Sequence, residues 1–422
     1  MQGFARLTCV TIAALAVAGA GAACAQSRTD SDLDSLIGPQ TVHGLADIRL
    51  AAADGERSWL DGGFGKTAVA AGHGRFDLSQ AVAEWRPQLN FALGAVVSVQ
   101  AQPQVRPALD LDEAYVTLKA PPTSVGRFSA RAGLFYPPVS QEHTGLGWTT
   151  PDTVSASALD TWIGEEVKVG GVELSWKGAV GGHKLEATGA VFGWDDTSAT
   201  LLTFRGWATD AVRAGAFTHF SLPPLSAFAG QFQGDETYPA RELDHRAGYY
   251  ARLEWRPPAP VSFNLIRYDN AGNRTAVDAD LQWAWATRFT DAGLRWQADT
   301  DTVVLAQALQ GHTVMGHAIP GGRWFDMDFQ AAYALVTHRF GEDAATFRLD
   351  GFRNHDRTFV ALDNNNETGW AATAAWRKRL SPHANLILEA ERISSKRPAR
   401  ALAGVQPDQD QTVAQSVLRL SF

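Results

Sequence analysis

Cysteine is almost absent from this chain: only Cys9 and Cys24 occur among 422 residues, and both fall within the first 25. A fold held together by disulfide bonds is therefore excluded for the rest of the chain, which burial or backbone pairing must stabilise instead. Lysine is also scarce, with 7 of the 37 basic residues, so arginine carries most of the positive charge. Beyond residue 25 no apolar run approaches the ~20 residues that a membrane-spanning helix needs, which excludes a helical inner-membrane protein.

The first 25 residues have the pattern of an export signal. Arg6 supplies a positive charge, residues 10–23 are largely apolar, and Ala23-Cys24-Ala25 is a cleavage motif ahead of Gln26. The sequence therefore predicts export, with a lipoprotein anchored through Cys24 as the alternative. Loss of Arg6 would change the net charge from −8 to −9, and a chain this negative is not expected to bind nucleic acid.

Alternating side chains predict β-strands along most of the chain. Residues 26–40 are polar and are expected to form a lead-in, while 41–422 are expected to form one domain. From Ala247 to Trp255 every second residue is apolar or aromatic, and the residues between them are mostly polar or charged. This two-residue period is typical of strands with one apolar and one polar face.

The connections between these runs alternate between short turns and long polar segments. Eight short turns, one of them at Pro223-Pro224, alternate with nine long segments that include 194–211, 234–245 and 312–327. This pattern predicts an all-β, transmembrane antiparallel barrel of 18 strands, with 16 as the alternative. Short periplasmic turns and long external loops are the layout of outer-membrane barrels, and closure pairs every backbone group inside the bilayer.

The chain ends in a strand whose apolar residues alternate up to a terminal Phe422. Here the sequence resembles the bacterial outer-membrane barrel class, in which a C-terminal aromatic residue is read by the insertion machinery. Glu-Trp-Arg-Pro occurs twice, at Trp85 and at Trp255, each time just before a predicted turn. An indole ring has an apolar body and one N–H donor, so Trp85, Trp255 and Phe422 are predicted at the membrane–water interface.

Two motifs make the resemblance to outer-membrane barrels more specific. Leu111-Asp112-Glu113-Ala114-Tyr115-Val116 precedes Arg131-Ala132-Gly133-Leu134-Phe135-Tyr136-Pro137-Pro138, and a long loop follows. This block resembles porins of the phosphate-selective porin O/P type, where an E-A-Y strand precedes an R-x-G strand and a long loop. The resemblance implies a channel with a basic ladder and a lysine ring that favour anions.

Candidate site residues fall into two sets. The predicted pore-lining residues are Arg127, Arg131, Arg246, Arg252, Arg348, Arg419 and Glu113. Loop 137–163 is the candidate constriction loop, with Glu142, His143, Trp148, Asp152 and Asp160, since long loops in compact folds are often functional. For loop 137–163, the competing interpretation is an ordinary external loop. For the pore-lining set, it is that the inward charges only neutralise one another.

No enzymatic motif stands out, because G-x-S-x-G, H-E-x-x-H and P-loop patterns are missing and the 11 histidines lack ligand spacing. We therefore expect no catalysis, cofactor or metal. The expected function is a porin in the outer membrane of a Gram-negative bacterium that lets small hydrophilic solutes diffuse passively, with a modest anion preference. The alternative is a structural or adhesive barrel whose lumen is blocked by loops. Expected partners are outer-membrane lipids, the insertion machinery and small solutes, with a homotrimer as a candidate assembly.

Overall fold

The computed structural model describes residues 36–69, 75–319, 322–358, 360 and 363–422; the predicted signal segment 1–25 and most of the polar lead-in lie outside them. Sixteen antiparallel strands in the described part of the chain form one closed barrel. These strands are β1 Val42–Ala53, β2 Arg75–Trp85, β3 Leu93–Ala101, β4 Leu109–Lys119, β5 Arg127–Phe135, β6 Val169–Val180, β7 His183–Gly193, β10 Gly248–Arg256, β11 Val261–Asp269, β12 Ala286–Gln297, β13 Thr302–Ile319, β14 Gly322–Phe340, β15 Asp343–Asp356, β16 Glu367–Ser381, β17 Ala384–Lys396 and β18 Asp408–Ser421. Strands β8 Phe220–Ser221 and β9 Glu236–Thr237 form a separate two-stranded ribbon.

The prediction of 18 strands was wrong, and the alternative of 16 matches the barrel. Strand β7 pairs directly with β10, so 194–247 is one connection and not two loops flanking a hairpin. Pro223-Pro224 lies within this connection, between the short strands of the ribbon. Proline donates no backbone hydrogen bond and is confined to sheet edges or loops. A proline pair therefore marked a turn inside a loop, where the sequence pattern had indicated a barrel turn.

The predicted long loop 312–327 was also wrong, because β13 and β14 run through most of it. Near the end of this hairpin where β13 ends and β14 begins, the outward positions are polar, as at His312 and Asp326. The sequence there therefore resembles that of a loop. The inward positions Met315 and Phe325 are fully buried. A strand that rises beyond the membrane keeps a buried inner face but has no need for an apolar outer one.

Side chains alternate across the barrel wall with the expected period of two. In β10, Tyr249, Leu253 and Trp255 are exposed on the outside, while Tyr250 and Glu254 face inward and are buried. The same alternation continues around the wall, where exposed leucine, valine and phenylalanine side chains cover the outer surface. The shortest barrel strands have nine residues, which at a tilt of about 40° span about 23 Å. That height matches the about 25 Å apolar band of outer-membrane barrels.

The first and last strands of the barrel meet where it closes. Strand β1 pairs with β18, from Leu45 opposite Ser421 to Ala53 opposite Val413. The backbone N–H of Phe422 donates to the Gly44 carbonyl at 3.1 Å, and the Gly44 N–H donates to the Phe422 carbonyl at 3.0 Å. A Cβ at Gly44 would lie 2.2 Å from the Phe422 ring, so a side chain at this position would have to displace that ring. The terminal residue is therefore part of the closing seam.

Two long connections contain the two α-helices of the described residues. Helix α1, Ala158–Glu166, lies in loop 136–168, and helix α2, Thr200–Phe204, lies in loop 194–247. The Ser157 side chain caps α1 by accepting from the Asp160 N–H at 3.1 Å. Every residue of both helices is buried. None of the helices in the described residues is long and apolar enough to cross a bilayer.

Candidate functional site

The lumen is the candidate site, because the polar faces of the strands and the two long loops meet there. Trp162 of α1 packs edge-on against Phe289 of β12 and Phe329 of β14, with ring centroids 5.5 and 5.0 Å apart. It also contacts Trp207 of loop 194–247 at 6.1 Å. Trp162 and Trp207 are 0% exposed. Side chains from both loops and from the wall thus fill this part of the lumen with an aromatic core.

Arg348 joins loop 136–168 to the wall. This fully buried guanidinium donates to the carbonyl oxygens of Ser155 and Ala156 at 2.8 and 2.9 Å. On the wall it pairs with Asp350 at 2.9 Å, and on the loop with Glu142 at 3.2 Å. Glu142 also accepts from the Ser157 N–H at 2.9 Å. The predicted pore-lining Arg348 and the predicted loop residue Glu142 therefore belong to one anchor.

Two further wall arginines form ion pairs on the inner face. Arg131 binds Glu173 through two hydrogen bonds of 2.9 Å, and its guanidinium stacks 4.0 Å from the centre of the Phe135 ring. Arg419 binds both carboxylate oxygens of Asp47 at 2.8 and 2.7 Å. Paired guanidinium groups of this kind hold the wall and contribute little net positive charge to the lumen.

The remaining predicted pore residues have mixed surroundings. Arg252 pairs with Glu254 at 2.6 Å, and buried Glu113 accepts from the Tyr136 N–H at 3.1 Å. Arg127 is exposed at the beginning of β5, near the short-turn end of the barrel. The placement of Arg246 on a strand was wrong: it is an exposed loop residue that precedes β10, and its N–H donates to Asp244.

Three of the predicted loop residues make ring stacks or an ion pair that hold loop 136–168 in place. His143 stacks on Trp148 with ring centroids 3.7 Å apart, and Trp148 stacks on Tyr136 at 4.1 Å. Burial lowers the pKa of His143 well below its usual value, so the ring is neutral. Asp152 binds Arg377 of β16 at 2.8 Å. The stacked rings hold the first half of the loop together, and the Asp152 ion pair joins the loop to the wall at β16.

Asp160 lies in the first turn of α1 and is 0% exposed. Burial, with Glu142 and Asp291 nearby, raises the pKa of Asp160 well above its usual value. A protonated carboxyl group is the form that such surroundings favour, because desolvation penalises the charged form.

The second loop contributes residues that sequence reasoning missed. Arg205, at the end of α2, binds both oxygens of Glu165 at 2.7 Å. Glu166 accepts from the backbone N–H groups of Leu201 and Leu202 at 2.7 and 3.0 Å, so it caps α2 from outside that helix. Burial raises the pKa of Glu166 to about 7. The Ser157 cap was a local signal for α1, but no local pattern relates these glutamates to a helix some 35 residues further on.

Among the described residues, one cluster of three carboxylates has the spacing that could hold a cation, and it lies in loop 194–247. Asp196, Glu242 and Asp244 bring one carboxylate oxygen each within 4.8 Å of one another. Backbone N–H groups of the same loop already donate to these acids: those of Leu243 and Asp244 to Asp196, and that of Trp194 to Glu242. The loop's own backbone accounts for this cluster.

The predicted interface aromatics lie at the short-turn end on the outer surface. Trp85 ends β2, Trp255 lies next to the end of β10, and Phe422 follows β18. All three are exposed, and the Trp255 ring stacks on Phe263 at 5.6 Å. Trp296 and Trp376 are exposed near the same ends of their strands. Together they form an aromatic girdle, a feature of outer-membrane barrels.

Solved structures share this fold. The outer membrane channel DcaP of Acinetobacter baumannii is 11% identical, with a TM-score of 0.52 over 90% of this chain and 96% of that one. OprB of Pseudomonas putida is 10% identical, with a TM-score of 0.51 over 90% of this chain and 93% of that one. At these identities the likeness establishes the barrel fold. No family model and no curated protein matches the chain.

Proposed function

We propose that this chain forms a channel in the outer membrane of a Gram-negative bacterium, through which small hydrophilic solutes diffuse passively. The observation that carries the proposal is a closed 16-strand barrel with an apolar outer face and charged side chains on the inner face. Sixteen strands enclose a lumen too wide for the wall's own side chains to fill. Inward charges such as Arg252 and Glu254 suit water-filled space.

The outer surface supports the location. Exposed apolar side chains cover strands of membrane-spanning length, and the aromatic girdle marks one edge of the band. Insertion through the C-terminal strand, contact with outer-membrane lipids and a homotrimer are part of the proposal. The finer assignment to porins of the phosphate-selective O/P type is supported by the motifs 111–116, on β4, and 131–138, which covers the end of β5 and the first three residues of the loop that follows.

A modest anion preference is also proposed. The sequence argument rested on six inward arginines, of which Arg131 is paired with Glu173 and Arg127 is exposed. The test is the zero-current potential in a salt gradient for wild type and for the double variant Arg127→Ala, Arg131→Ala. We expect the double variant to lose anion preference, because it removes one free cation and frees the Glu173 charge. An unchanged potential, or a cation-selective wild type, would contradict the proposal.

A second candidate is a structural or adhesive barrel closed by its loops. The observation in its favour is the complete burial of Trp162, Trp207 and Arg348 inside the lumen. Single-channel conductance of the purified protein in a planar bilayer separates the two functions. Discrete steps in wild type support the channel, whereas steps that occur only after residues 158–166 are deleted support the closed barrel.

A further inference from the structure

An apolar groove on the outer face of the wall crosses the seam where the barrel closes. Its volume is about 720 Å³, and it spans β16, β17, β18 and β1. The exposed residues along its floor are four alanines in directly opposed positions, Ala374, Ala390, Ala414 and Ala52. The neighbouring row toward the short turns holds the bulkier side chains of Trp376, Leu388 and Leu50, which form one side of the groove.

The wall on the other side of the groove, toward the long loops, is charged. Arg392 of β17 follows Ala390 on the same outward face, two residues nearer to the loops. Lys396 lies further along β17, and both Lys396 and Arg353 of β15 are directly opposite Thr368 of β16. All three cations are exposed. We call Arg353, Arg392 and Lys396 the basic shelf, because they lie side by side above the groove.

Two acids lie next to the basic shelf and leave one cation over. Asp410 of β18 pairs with Arg392 at 2.8 Å, and Asp408 pairs with Lys396 at 3.4 Å. These four side chains are 46–72% exposed, and ion pairs this exposed contribute little to stability. Arg353 forms no ion pair with any described residue. A further negatively charged group can therefore share these cations at little cost.

The basic shelf lies at the edge of the apolar band. Arg392 and Lys396 are eight and twelve residues beyond Ala384, where β17 begins at the short-turn end. At a tilt of about 40° these distances correspond to heights of about 21 and 31 Å, on either side of the about 25 Å band of outer-membrane barrels. The shelf is therefore at the headgroup level of the outer leaflet, and the groove below it faces hydrocarbon.

The shape of the groove favours a lipid over a second copy of the barrel. Hydrocarbon surrounds the wall, so close packing and not the hydrophobic effect decides what fills a recess there. Outer walls of barrels are convex, and two of them meet along a strip that leaves a recess between them unfilled. A flexible acyl chain can lie along the alanine floor.

We infer that the groove and the basic shelf together bind one phosphate-bearing lipid of the outer leaflet, with an acyl chain on the alanines and the phosphate on the shelf. Arginine offers paired donors to phosphate, and lysine offers a mobile point charge. The exposed Trp370 lies beside the shelf on β16 and adds an indole ring at headgroup level. The inference rests on the outer-membrane location and not on conduction, so it goes beyond the proposed channel.

Binding is tested by native mass spectrometry of the full-length folded barrel in detergent. The probe is dimyristoyl phosphatidic acid, and dimyristoyl phosphatidylcholine is the comparison with the same acyl chains and a masked phosphate. We expect the wild type to retain one phosphatidic acid in preference to phosphatidylcholine. Arg353→Gln with Lys396→Gln should weaken retention by roughly tenfold to a hundredfold, the loss of one or two charge-assisted hydrogen bonds. Ala390→Trp should lower retention of both lipids at least about tenfold, because the indole occupies the floor on which the chain packs.

Matched controls come from other strands of the same outer face. Ala334 of β14 and Arg267 of β11 are exposed and lie outside the groove, so unchanged retention in Ala334→Trp and Arg267→Gln supports a discrete site. Losses in these controls equal to those in the test variants, equal retention of the two lipids, or no retention by a folded wild type would overturn the inference. Particles of two or more copies that Ala390→Trp separates, with lipid retention unchanged, would assign the groove to a second copy and overturn it as well. Lipid retention by a protein without single-channel current would contradict the proposed channel and leave the lipid site standing.

Discussion

Arg348 offers the sharpest test of how loop 136–168 is held inside the barrel. Replacing Arg348 with Met preserves most of the side-chain volume and removes the hydrogen bonds to the Ser155 and Ala156 carbonyls. It also leaves Glu142 and Asp350 buried without their shared counter-charge. Breaking a buried ion pair by removing one partner costs about 3–5 kcal/mol.

That cost applies to the closed arrangement of the loop, because the barrel's backbone pairing does not depend on Arg348. Each 1.4 kcal/mol is a factor of ten in an equilibrium constant, so the open population should rise about a hundredfold to a few thousandfold. Native-state proteolysis follows the open population when opening is fast relative to cleavage. A protease that cuts after aromatic residues should therefore cleave at Trp148 at least about a hundredfold faster in Arg348→Met.

Arg353→Met is the control on the same strand, since Arg353 is exposed and forms no ion pair within the described residues. Adding Glu142→Gln to Arg348→Met should recover part of the protection, because it removes one uncompensated buried charge. Cleavage of Arg348→Met at the wild-type rate, with folded barrels in both samples, would refute the anchoring role. Single-channel conductance on the same variants would show whether an opened loop widens the path.

Three further predictions follow from the loops and the two chain ends. Because the pKa of Asp160 is raised in the folded state, its contribution to loop stability is present at low pH and is lost as pH rises from its unfolded value of about 3.9. Cleavage within the loop should therefore speed up toward alkaline pH in wild type and vary less in Asp160→Asn; a steeper dependence in the variant would contradict this. Deleting Phe422 removes the two hydrogen bonds to Gly44 and should lower outer-membrane levels, measured by immunoblotting of membrane fractions; normal levels would count against a role in insertion. N-terminal sequencing of the protein from outer membranes should begin at Gln26, and a lipid-modified Cys24 would show that the processing site differs.

The inner and outer faces of the wall could be predicted from local sequence. The two-residue period of a strand is a local property, so Leu253 and Glu254 could be assigned to opposite faces of the wall from their positions alone. The structure agrees. Closure through the C-terminal strand followed similarly from alternation that ends at Phe422. The strand count failed at Pro223-Pro224, because a turn signal reports a change of chain direction and does not say whether the flanking residues join the barrel.

The contents of the lumen could not be predicted in the same way. Arg348 and Arg131 were identified as inward-facing, but their partners Glu142 and Glu173 come from distant parts of the chain, and only the closed barrel brings them together. The pairing of Glu165 with Arg205 depends on two loops that enter the same lumen. The sequence by itself determined the alternating wall, because each residue's face depends on its immediate neighbours. Only the tertiary structure decided which charges are neutralised and which, such as Arg127, form no ion pair with any described residue, because ion pairing depends on distances that barrel closure sets.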